Sequence, residues 1–246
     1  MSVVESGSHE RATGGVLGGL GPQATVAFLQ MVIDNTVVQR EQEHVDLIVS
    51  QRSSTPDRTA AILGRGPSPE PVMAADAKRL EVAGAQFIVI PCNTASRFLS
   101  AVSKAVSVPV LSIVEETVAA VRPQLPQARR IGLLATDGTI ESGIYQDAAT
   151  RHGLDLLVPG ETGQRQVMSM IYDKVKLAVP VAKEEFFGAI DELRQASADV
   201  VIMGCTELSV LYDRFHVDSP HVLDSLTTLA RRTVELGGGQ LRTKGA

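Results

Sequence analysis

Two segments of the chain share one pattern, an apolar run that ends in a cysteine and is followed by small polar residues. Residues 86–96 read QFIVIPCNTAS and contain Cys92, and residues 199–209 read DVVIMGCTELS and contain Cys205. The chain has 2 cysteines in all, so each pattern holds one of them. Such an apolar run predicts a strand buried on both faces, and the polar residues after it predict the start of a helix. We therefore expect two related halves, each contributing one thiol to a shared site.

Further apolar runs alternate along the chain with segments of helical spacing. The predicted strands are 14–19, 45–50, 86–91, 130–135, 154–158 and 199–204. The predicted helices are 23–39, 71–83, 94–105, 140–152, 163–177, 181–196 and 223–236. This alternation predicts an α/β fold with mainly parallel sheets flanked by helices, in which ligands bind beyond the carboxyl ends of the strands.

An apolar segment at 108–113 marks the predicted boundary between two domains related by a pseudo-twofold axis. We expect an N-terminal domain of residues 14–113 plus 221–246 that carries Cys92, and a C-terminal domain of residues 114–220 that carries Cys205. The first domain is discontinuous in this division because the final helix is expected to pack back on it. The site is expected in the cleft between the two domains.

Composition narrows the class of protein. The chain has 246 residues, of which 44% are hydrophobic, which is enough for one large or two smaller domains. A net charge of −5 argues against nucleic acid as a partner, because phosphate binding needs a basic surface. No apolar stretch approaches the ~20 residues of a membrane span, and the polar N-terminus lacks the apolar core of a signal peptide. We therefore expect a cytoplasmic protein with no membrane partner.

Motifs for cofactors and metals are weak. The turn at residues 14–25, GGVLGGLGPQAT, can bring backbone N–H groups close to an anion, but it departs from the dinucleotide-binding and P-loop patterns. The 5 histidines show no metal-ligand spacing, and the chain has no Gly-x-Ser-x-Gly nucleophile turn. We expect neither a cofactor nor a metal.

The two thiols are the strongest candidates for chemistry. Backbone N–H groups at a helix start stabilise a thiolate and lower its pKa, so Cys92 and Cys205 can each act as base or acid. Two such groups on opposite faces of a Cα–H can remove a proton from one face and return one to the other, which is racemisation without a cofactor. The alternatives are two buried apolar cysteines, or a redox pair, which the long spacing disfavours.

Basic residues offer a partner for a carboxylate. Arg58 and Arg52 lie in a loop after a predicted strand, and a guanidinium can hold a carboxylate through two hydrogen bonds. A surface position for Arg58, or an ion pair with Asp57, is an equal alternative. Lys174 and Lys176 lie on one predicted helix, and position alone does not distinguish them.

Five segments together resemble the aspartate/glutamate racemase superfamily, most closely its aspartate racemase branch. They are residues 18–25, 56–59, 84–95, 132–139 and 204–207, and they occur in this order over nearly the whole chain after residue 14. The resemblance implies two Rossmann-like domains, racemisation independent of pyridoxal phosphate, and a homodimer. It also implies a small dicarboxylic amino acid, aspartate above all, as the substrate.

The resemblance also implies roles for individual residues. Cys92 and Cys205 become the two acid/base thiols. The residues implied to contact the substrate or support the thiols are Arg58, Asn93, Thr94, Thr136, Lys176, Thr206 and Glu207.

Two departures from the family pattern bear on the substrate. Ser96 stands where the family segment commonly has histidine after Pro-Cys-Asn-Thr-Ala, and residues 50–54 read SQRSS where Asn-rich sequence is common. Arg52 in that loop is expected to add a positive charge to the pocket. Three alternatives therefore stay open: racemisation of glutamate or another amino acid, a reaction like those of maleate isomerase or arylmalonate decarboxylase, and a catalytically silent binding protein.

Overall fold

Two four-stranded parallel sheets form the framework of the computed structural model, which describes residues 11–243. The first sheet has the order β3-β1-β4-β5. Its strands are β1 (Gly14–Gly18), β3 (Leu47–Gln51), β4 (Phe87–Val89) and β5 (Val110–Leu111). The second sheet has the order β7-β6-β8-β9. Its strands are β6 (Arg130–Leu134), β7 (Asp155–Leu157), β8 (Val200–Met203) and β9 (Val222–Asp224). We call the elements around these sheets the first half and the second half.

The two sheets share one topology. In each, the first strand of the half lies between the second and the third, and the fourth strand pairs with the third at the other edge. Cys92 follows β4 and Cys205 follows β8, so each cysteine follows the third strand of its half. This equivalence agrees with the two related halves predicted from the repeated cysteine segments, and the α/β fold class is confirmed.

Helices cover the sheets. In the first half they are α1 (Pro22–Asp34), α2 (Arg58–Ile62), α3 (Glu70–Val82) and α4 (Leu99–Ser103). The segment between the sheets forms α5 (Ile113–Ala119) and α6 (Val121–Gln124). The second half adds α7 (Asp137–Glu141), α8 (Ile144–Arg151), α9 (Glu161–Ser169), α10 (Lys183–Gln195) and α11 (Thr206–Arg214), and α12 (Ser225–Leu236) follows β9. Short 3-10 helices form at Glu41–Glu43, Thr94–Phe98 and Val175–Leu177, and Met170–Lys174 is a π-helical turn.

The strands are apolar because helices bury them on both faces. Every residue of β1, β4, β8 and β9 is buried, the pattern expected of parallel strands inside an α/β layer structure. Helix α12 lays its apolar stripe against α1 of the first half and against α5. After it, β10 (Gln240–Leu241) pairs antiparallel with β2 (Thr36–Val37). The end of the chain is thereby tied to the first half.

Strand β9 corrects one detail of the expected domain division. It lies within residues 221–246, which were assigned to the N-terminal domain, but it pairs in parallel with β8 of the second sheet. Strand β9 has three residues, of which only Val222 and Leu223 are apolar, so its pattern cannot be separated from that of the helix that follows, and the sequence pattern merged it with α12. The segment that returns to the first half starts at Ser225. The remaining boundaries of the division stay a prediction.

Among the helices of residues 11–243, none combines the length and the apolar composition that crossing a membrane requires.

Candidate active site

A narrow cleft lies beyond the carboxyl ends of both sheets and is lined by residues of both halves. Parallel strands place the ends of β4 and β8, and the turns that follow them, at such an edge. The lining residues are Leu20, Asp57, Arg58, Thr59, Cys92, Asn93, Thr94, Thr136, Tyr172, Lys176, Cys205, Thr206 and Glu207. The structure thus brings together every site residue predicted from the sequence except Arg52.

The two cysteines enter the cleft from equivalent turns that differ in local form. Cys205 directly precedes α11 in an extended conformation at its N-cap position. Cys92 is separated from β4 by two residues, and its N–H donates to the carbonyl of Ile90 at 2.7 Å. After Cys92 the chain forms a 3-10 helix, where the sequence predicted an α-helix over 94–105. Cys92 is 6% exposed and Cys205 5% exposed, so both are buried and both line the cleft.

A carboxylate lies beside the second thiol. The Sγ atom of Cys205 donates to Oε2 of Glu207 at 3.0 Å. Burial raises the pKa of the Cys205 thiol well above its usual value, and the negative charge of Glu207 raises it further. The nearby ammonium group of Lys176 acts in the opposite direction. The net direction is opposite to the lowered thiol pKa that the helix start led us to expect for Cys205.

Lys176 is distinguished from Lys174 by the irregular turn that follows α9. The predicted helix over 163–177 ends at Ser169 and continues as a π-helical turn and a 3-10 helix, which directs Lys176 into the cleft. Its Nζ atom lies 3.7 Å from the centroid of the Tyr172 ring, a cation–π contact. Burial lowers the pKa of Lys176 and is the largest single effect, but the acidic groups around it together outweigh burial, so the net pKa is raised. These groups are Glu207, Tyr172, Cys205 and Asp57.

Lys174 points elsewhere. Its Nζ atom donates to Glu185 Oε2 at 2.5 Å, in a partly buried ion pair between the π-helical turn and α10. Of the two lysines that the sequence could not separate, Lys176 is thus the one that reaches the cleft.

Four buried hydroxyl groups connect the two halves at the floor of the cleft. Thr94 Oγ1 lies 3.2 Å from Thr136 Oγ1 and 2.8 Å from Thr139 Oγ1. Thr59, from α2, donates to Thr136 Oγ1 at 3.4 Å. Thr136 is also the N-cap of α7, and its hydroxyl accepts from the Thr139 N–H. Thr59 and Thr139 were not predicted from the sequence, although the Thr-x-x-Thr spacing at 136–139 is a helix-start signal.

A glycine allows this close approach of the halves. A Cβ atom built on Gly138 would lie 2.9 Å from three atoms of Thr59, which is shorter than the contacts that Cβ atoms make in real structures. Glycine at this position therefore lets α7 of the second half contact α2 of the first.

The Asn93 side chain is bound at both ends. Tyr145 OH donates to Asn93 Oδ1 at 2.6 Å, and Asn93 Nδ2 donates to Ser225 Oγ at 2.9 Å. Tyr145 lies on α8 and Ser225 begins α12, so the two partners come from beyond the first sheet. Neither was predicted as part of the site, because 52 and 132 residues separate them from Asn93.

Arg58 lines the cleft but uses its guanidinium mainly to hold backbone. It donates to the carbonyls of Leu20 at 2.8 Å, Pro56 at 2.9 Å and Thr55 at 3.2 Å. Asp57, its alternative partner in the sequence, instead caps α2 by accepting from the Ala60 N–H at 2.7 Å. The buried Nε of Arg58 has no hydrogen-bond partner within residues 11–243. Arg58 thus supports the loop that walls the cleft.

Arg52 lies outside the cleft, and the expectation that it adds charge to the pocket is wrong. Its Nε atom lies 3.0 Å from Oδ2 of Asp76, a side chain of α3 that is 1% exposed. A buried carboxylate needs a cationic partner, and Asp76 forms ion pairs with two, Arg52 and Arg79. Ser96, the other departure from the family pattern, lies on the 3-10 helix after Cys92 and is not among the lining residues.

Across residues 11–243, no group of three or more His, Cys, Asp and Glu side chains is arranged to hold a metal ion.

Known proteins resemble the chain in sequence and in fold. The family model for Asp/Glu/hydantoin racemases matches residues 17–233. The broad specificity amino-acid racemase RacX of Bacillus subtilis is 27% identical over 226 residues, which cover 89% of this chain and 96% of RacX. A glutamate racemase of Shewanella loihica is 30% identical over 158 residues, but these cover 62% of this chain and 57% of that enzyme.

Among solved structures, an aspartate racemase of Picrophilus torridus superposes with a TM-score of 0.82 at 26% identity, covering 94% of this chain and 96% of that one. The shared fold agrees with the two Rossmann-like halves that the resemblance implied. The family match spans both cysteine turns and all of the cleft residues. The chain belongs to the Asp/Glu/hydantoin racemase family.

Proposed function

We propose that this protein is a cofactor-independent amino-acid racemase in which Cys92 and Cys205 exchange a proton with opposite faces of the substrate Cα. Membership of the family supports racemase, and hence isomerase, activity. The observation that carries the two-thiol mechanism is the equivalent position of the two cysteines, each after the third strand of its half and both lining one cleft.

The proposed reaction balances with these two groups alone. One thiolate takes the Cα proton and becomes a thiol, leaving a carbanion whose charge spreads into the α-carboxylate. The opposite thiol then gives its proton to the other face and becomes a thiolate. The product has inverted configuration, and the enzyme ends with its two protonation states exchanged. The reverse reaction begins from that state, as a racemase requires.

Neutral hydrogen-bond donors stabilise the developing charge in this proposal. The hydroxyl groups of Thr94 and Thr136, the amide of Asn93 and the first turn of α11 at Thr206 line the cleft. Donors held in place before the reaction stabilise the charge that develops on the carboxylate without reorganising during it.

An acidic amino acid, aspartate first, is the proposed substrate. The raised pKa of Lys176 keeps a full positive charge at the cleft wall, and Arg58 adds a second. A solved structure that superposes with a TM-score of 0.82 is named an aspartate racemase. RacX is named a broad specificity racemase, so glutamate and other amino acids belong in the same test. The homodimer and the cytoplasmic location stay predictions.

A chiral assay in D₂O tests this function. The protein, purified under reducing conditions, is incubated with L-aspartate, L-glutamate and a panel of neutral amino acids. We expect D-aspartate that carries one deuterium at Cα, formed faster than any other D-amino acid. The matched control carries Cys92→Ala and Cys205→Ala together and should form none.

Two results would contradict the proposal. Conversion of maleate to fumarate with no Cα exchange on any amino acid would favour the isomerase alternative, since addition of one thiolate to an alkene is enough for it. Thermal stabilisation by amino acids without any turnover would favour a binding protein.

A further inference from the structure

The hydrogen bonds around Asn93 form a chain with one direction. Ser225 Oγ donates to the carbonyl of Met203 at 2.7 Å, at the end of β8. A serine hydroxyl has a single proton, so Ser225 is left to accept the N–H from Asn93 Nδ2 at 2.9 Å. The carbonyl end of Asn93 must then face Tyr145, whose hydroxyl donates to Oδ1 at 2.6 Å. The amide of Asn93 has one orientation that satisfies all three bonds.

Burial stabilises this orientation of the Asn93 amide. Asn93 is 2% exposed, Tyr145 1% and Ser225 0%, so water does not compete for these groups. Burial also raises the pKa of Tyr145 far above its ordinary range, so the phenol keeps its proton and stays a donor. A flipped Asn93 amide would place N–H against O–H and carbonyl against Ser225, leaving buried polar atoms unpaired.

The orientation has a consequence for the cleft. An asparagine amide has two N–H groups, and only one is donated to Ser225. Asn93 adjoins Cys92 and lines the cleft, so its second N–H is the group it can offer to a ligand there. The residues that fix the amide come from α8 and from the start of α12, on the far side of the cleft floor from the first sheet.

We propose that Tyr145 and Ser225 are positioning residues, which hold the Asn93 amide so that its second N–H points to the substrate carboxylate. Neither residue lines the cleft, so both act through Asn93. The inference rests on the proposed function, because it gives the Asn93 N–H a substrate carboxylate to bind. The charge on that carboxylate grows as Cα loses its proton, so a misplaced N–H lowers kcat more than it raises KM.

A double-mutant cycle tests the positioning role. We expect Tyr145→Phe and Ser225→Ala each to lower kcat for aspartate about tenfold, the usual size of a lost hydrogen bond to a charged group, with KM changed less than threefold. In an Asn93→Ala background, Tyr145→Phe should have no further effect. Tyr212→Phe is the matched control, since Tyr212 lies on α11 at a different groove. Wild-type kcat in Tyr145→Phe, or losses that multiply with that of Asn93→Ala, would overturn the proposal.

A second readout does not depend on turnover. The chain contains only Asn35 and Asn93, so selective ¹⁵N-asparagine labelling gives two side-chain amide signals. Asn35 donates to the Met31 carbonyl at 2.8 Å and serves as an internal reference for folding. We expect Tyr145→Phe and Ser225→Ala to shift and broaden the Asn93 signal and leave that of Asn35 unchanged.

The two readouts separate the two proposals. An unchanged Asn93 signal in both variants overturns the positioning role whatever the enzyme does. A wild-type protein that racemises no amino acid removes the proposed function, while the NMR signals still report whether Tyr145 and Ser225 orient the amide. If Tyr145→Phe fails to fold, Ser225→Ala tests the same bond chain from its other end.

Discussion

The two thiols have equivalent positions in related halves but different surroundings. The polar residues that follow Cys92 are neutral, Asn93 and Thr94, and they belong to hydrogen-bonded networks of amide and hydroxyl groups. Cys205 is followed by Thr206 and by Glu207. The carboxylate of Glu207 accepts a hydrogen bond from the Cys205 thiol, with 3.0 Å between Sγ and Oε2. The symmetry of the fold thus supplies the two positions, and the side chains at the helix starts make them unequal.

The inequality suggests a division of labour in the resting enzyme. Burial and Glu207 raise the pKa of Cys205, so in the proposed mechanism Cys205 is the first proton donor and Cys92 the first base. The positive charge of Lys176 lowers the pKa of Cys205, and in the same proposal it helps Cys205 reach the thiolate form in the reverse direction. A two-thiol racemase needs each thiol in both its protonated and its deprotonated form. The surroundings of Cys205 must therefore favour the thiol and still allow the thiolate to form.

Removing one thiol at a time gives the largest expected effect. Cys92→Ala and Cys205→Ala should each lower racemisation by about 10²–10⁴-fold, the usual contribution of a positioned acid or base. Each variant should still exchange Cα–H for deuterium in one enantiomer, and the two variants should act on opposite enantiomers. Exchange by Cys92→Ala should rise with pH, because the raised pKa of the remaining Cys205 keeps that thiol mostly protonated.

The measurement is NMR of the Cα–H signal of D- and L-aspartate in D₂O. Thr150→Ala, on the exposed face of α8, is the control and should exchange both enantiomers like wild type. Exchange of the same enantiomer by both cysteine variants would show that the thiols do not face opposite sides of Cα.

Changing the charges around Cys205 should shift its titration in opposite directions. Glu207→Gln removes a nearby negative charge, so the pKa of Cys205 falls and its thiolate forms at lower pH. Lys176→Gln removes the opposing positive charge, so the pKa rises further. The measurement is the pH dependence of iodoacetamide alkylation in a Cys92→Ala background, and racemisation in the intact enzyme should fall roughly tenfold in each case.

Lys174→Gln is the matched control, because Lys174 pairs with Glu185 rather than facing the cleft. It should leave the alkylation profile unchanged. A shift of the same sign in Glu207→Gln and Lys176→Gln would rule out charge as the cause of the difference between the two thiols.

A substitution that pushes the two halves apart at their contact should affect both thiols equally. Its main effect should be a lower free energy of unfolding. Gly138→Ala places a methyl group against Thr59, which should destabilise the fold by about 1–3 kcal/mol and lower both directions of racemisation by the same factor. Gly188→Ala, in the middle of α10 with no atom within 4 Å of the added Cβ, should instead stabilise the helix by about 0.5–1 kcal/mol. Urea unfolding measures both changes. A loss in only one direction of racemisation would mean that Gly138 serves one thiol.

The sequence predicts strands β1, β4 and β8 because each is fully buried and reads as a continuous apolar run. Strands β3, β6 and β7 contain polar or exposed residues, but each still has a short apolar run and lies close to its predicted bounds. Strands β2, β5, β9 and β10 have two or three residues each, too few to produce a periodic signal. The break after α9 was also missed, because a π-helical turn keeps a helix-like composition.

Within the site, the sequence predicts residues that are adjacent to the cysteines in the chain, but it does not predict contacts between residues that are far apart in the chain. The residues next to each cysteine could be predicted, since the chain itself places them at the strand ends. The direction of Arg52 depends on the buried carboxylate of Asp76, and the role of Tyr145 depends on a contact 52 residues away. Neither contact leaves a pattern in a single sequence.

The path of the last helix means that the two halves are not separable modules, despite their shared topology. Helix α12 starts at the second sheet but covers Phe28 and Val32 of α1 in a common core. A chain cut near residue 126 would leave an N-terminal fragment with an uncovered apolar face and a C-terminal fragment with an unpartnered helix. Neither fragment is therefore expected to fold alone. The two halves repeat one topology, yet the last helix joins them into a single core, which should unfold as one unit.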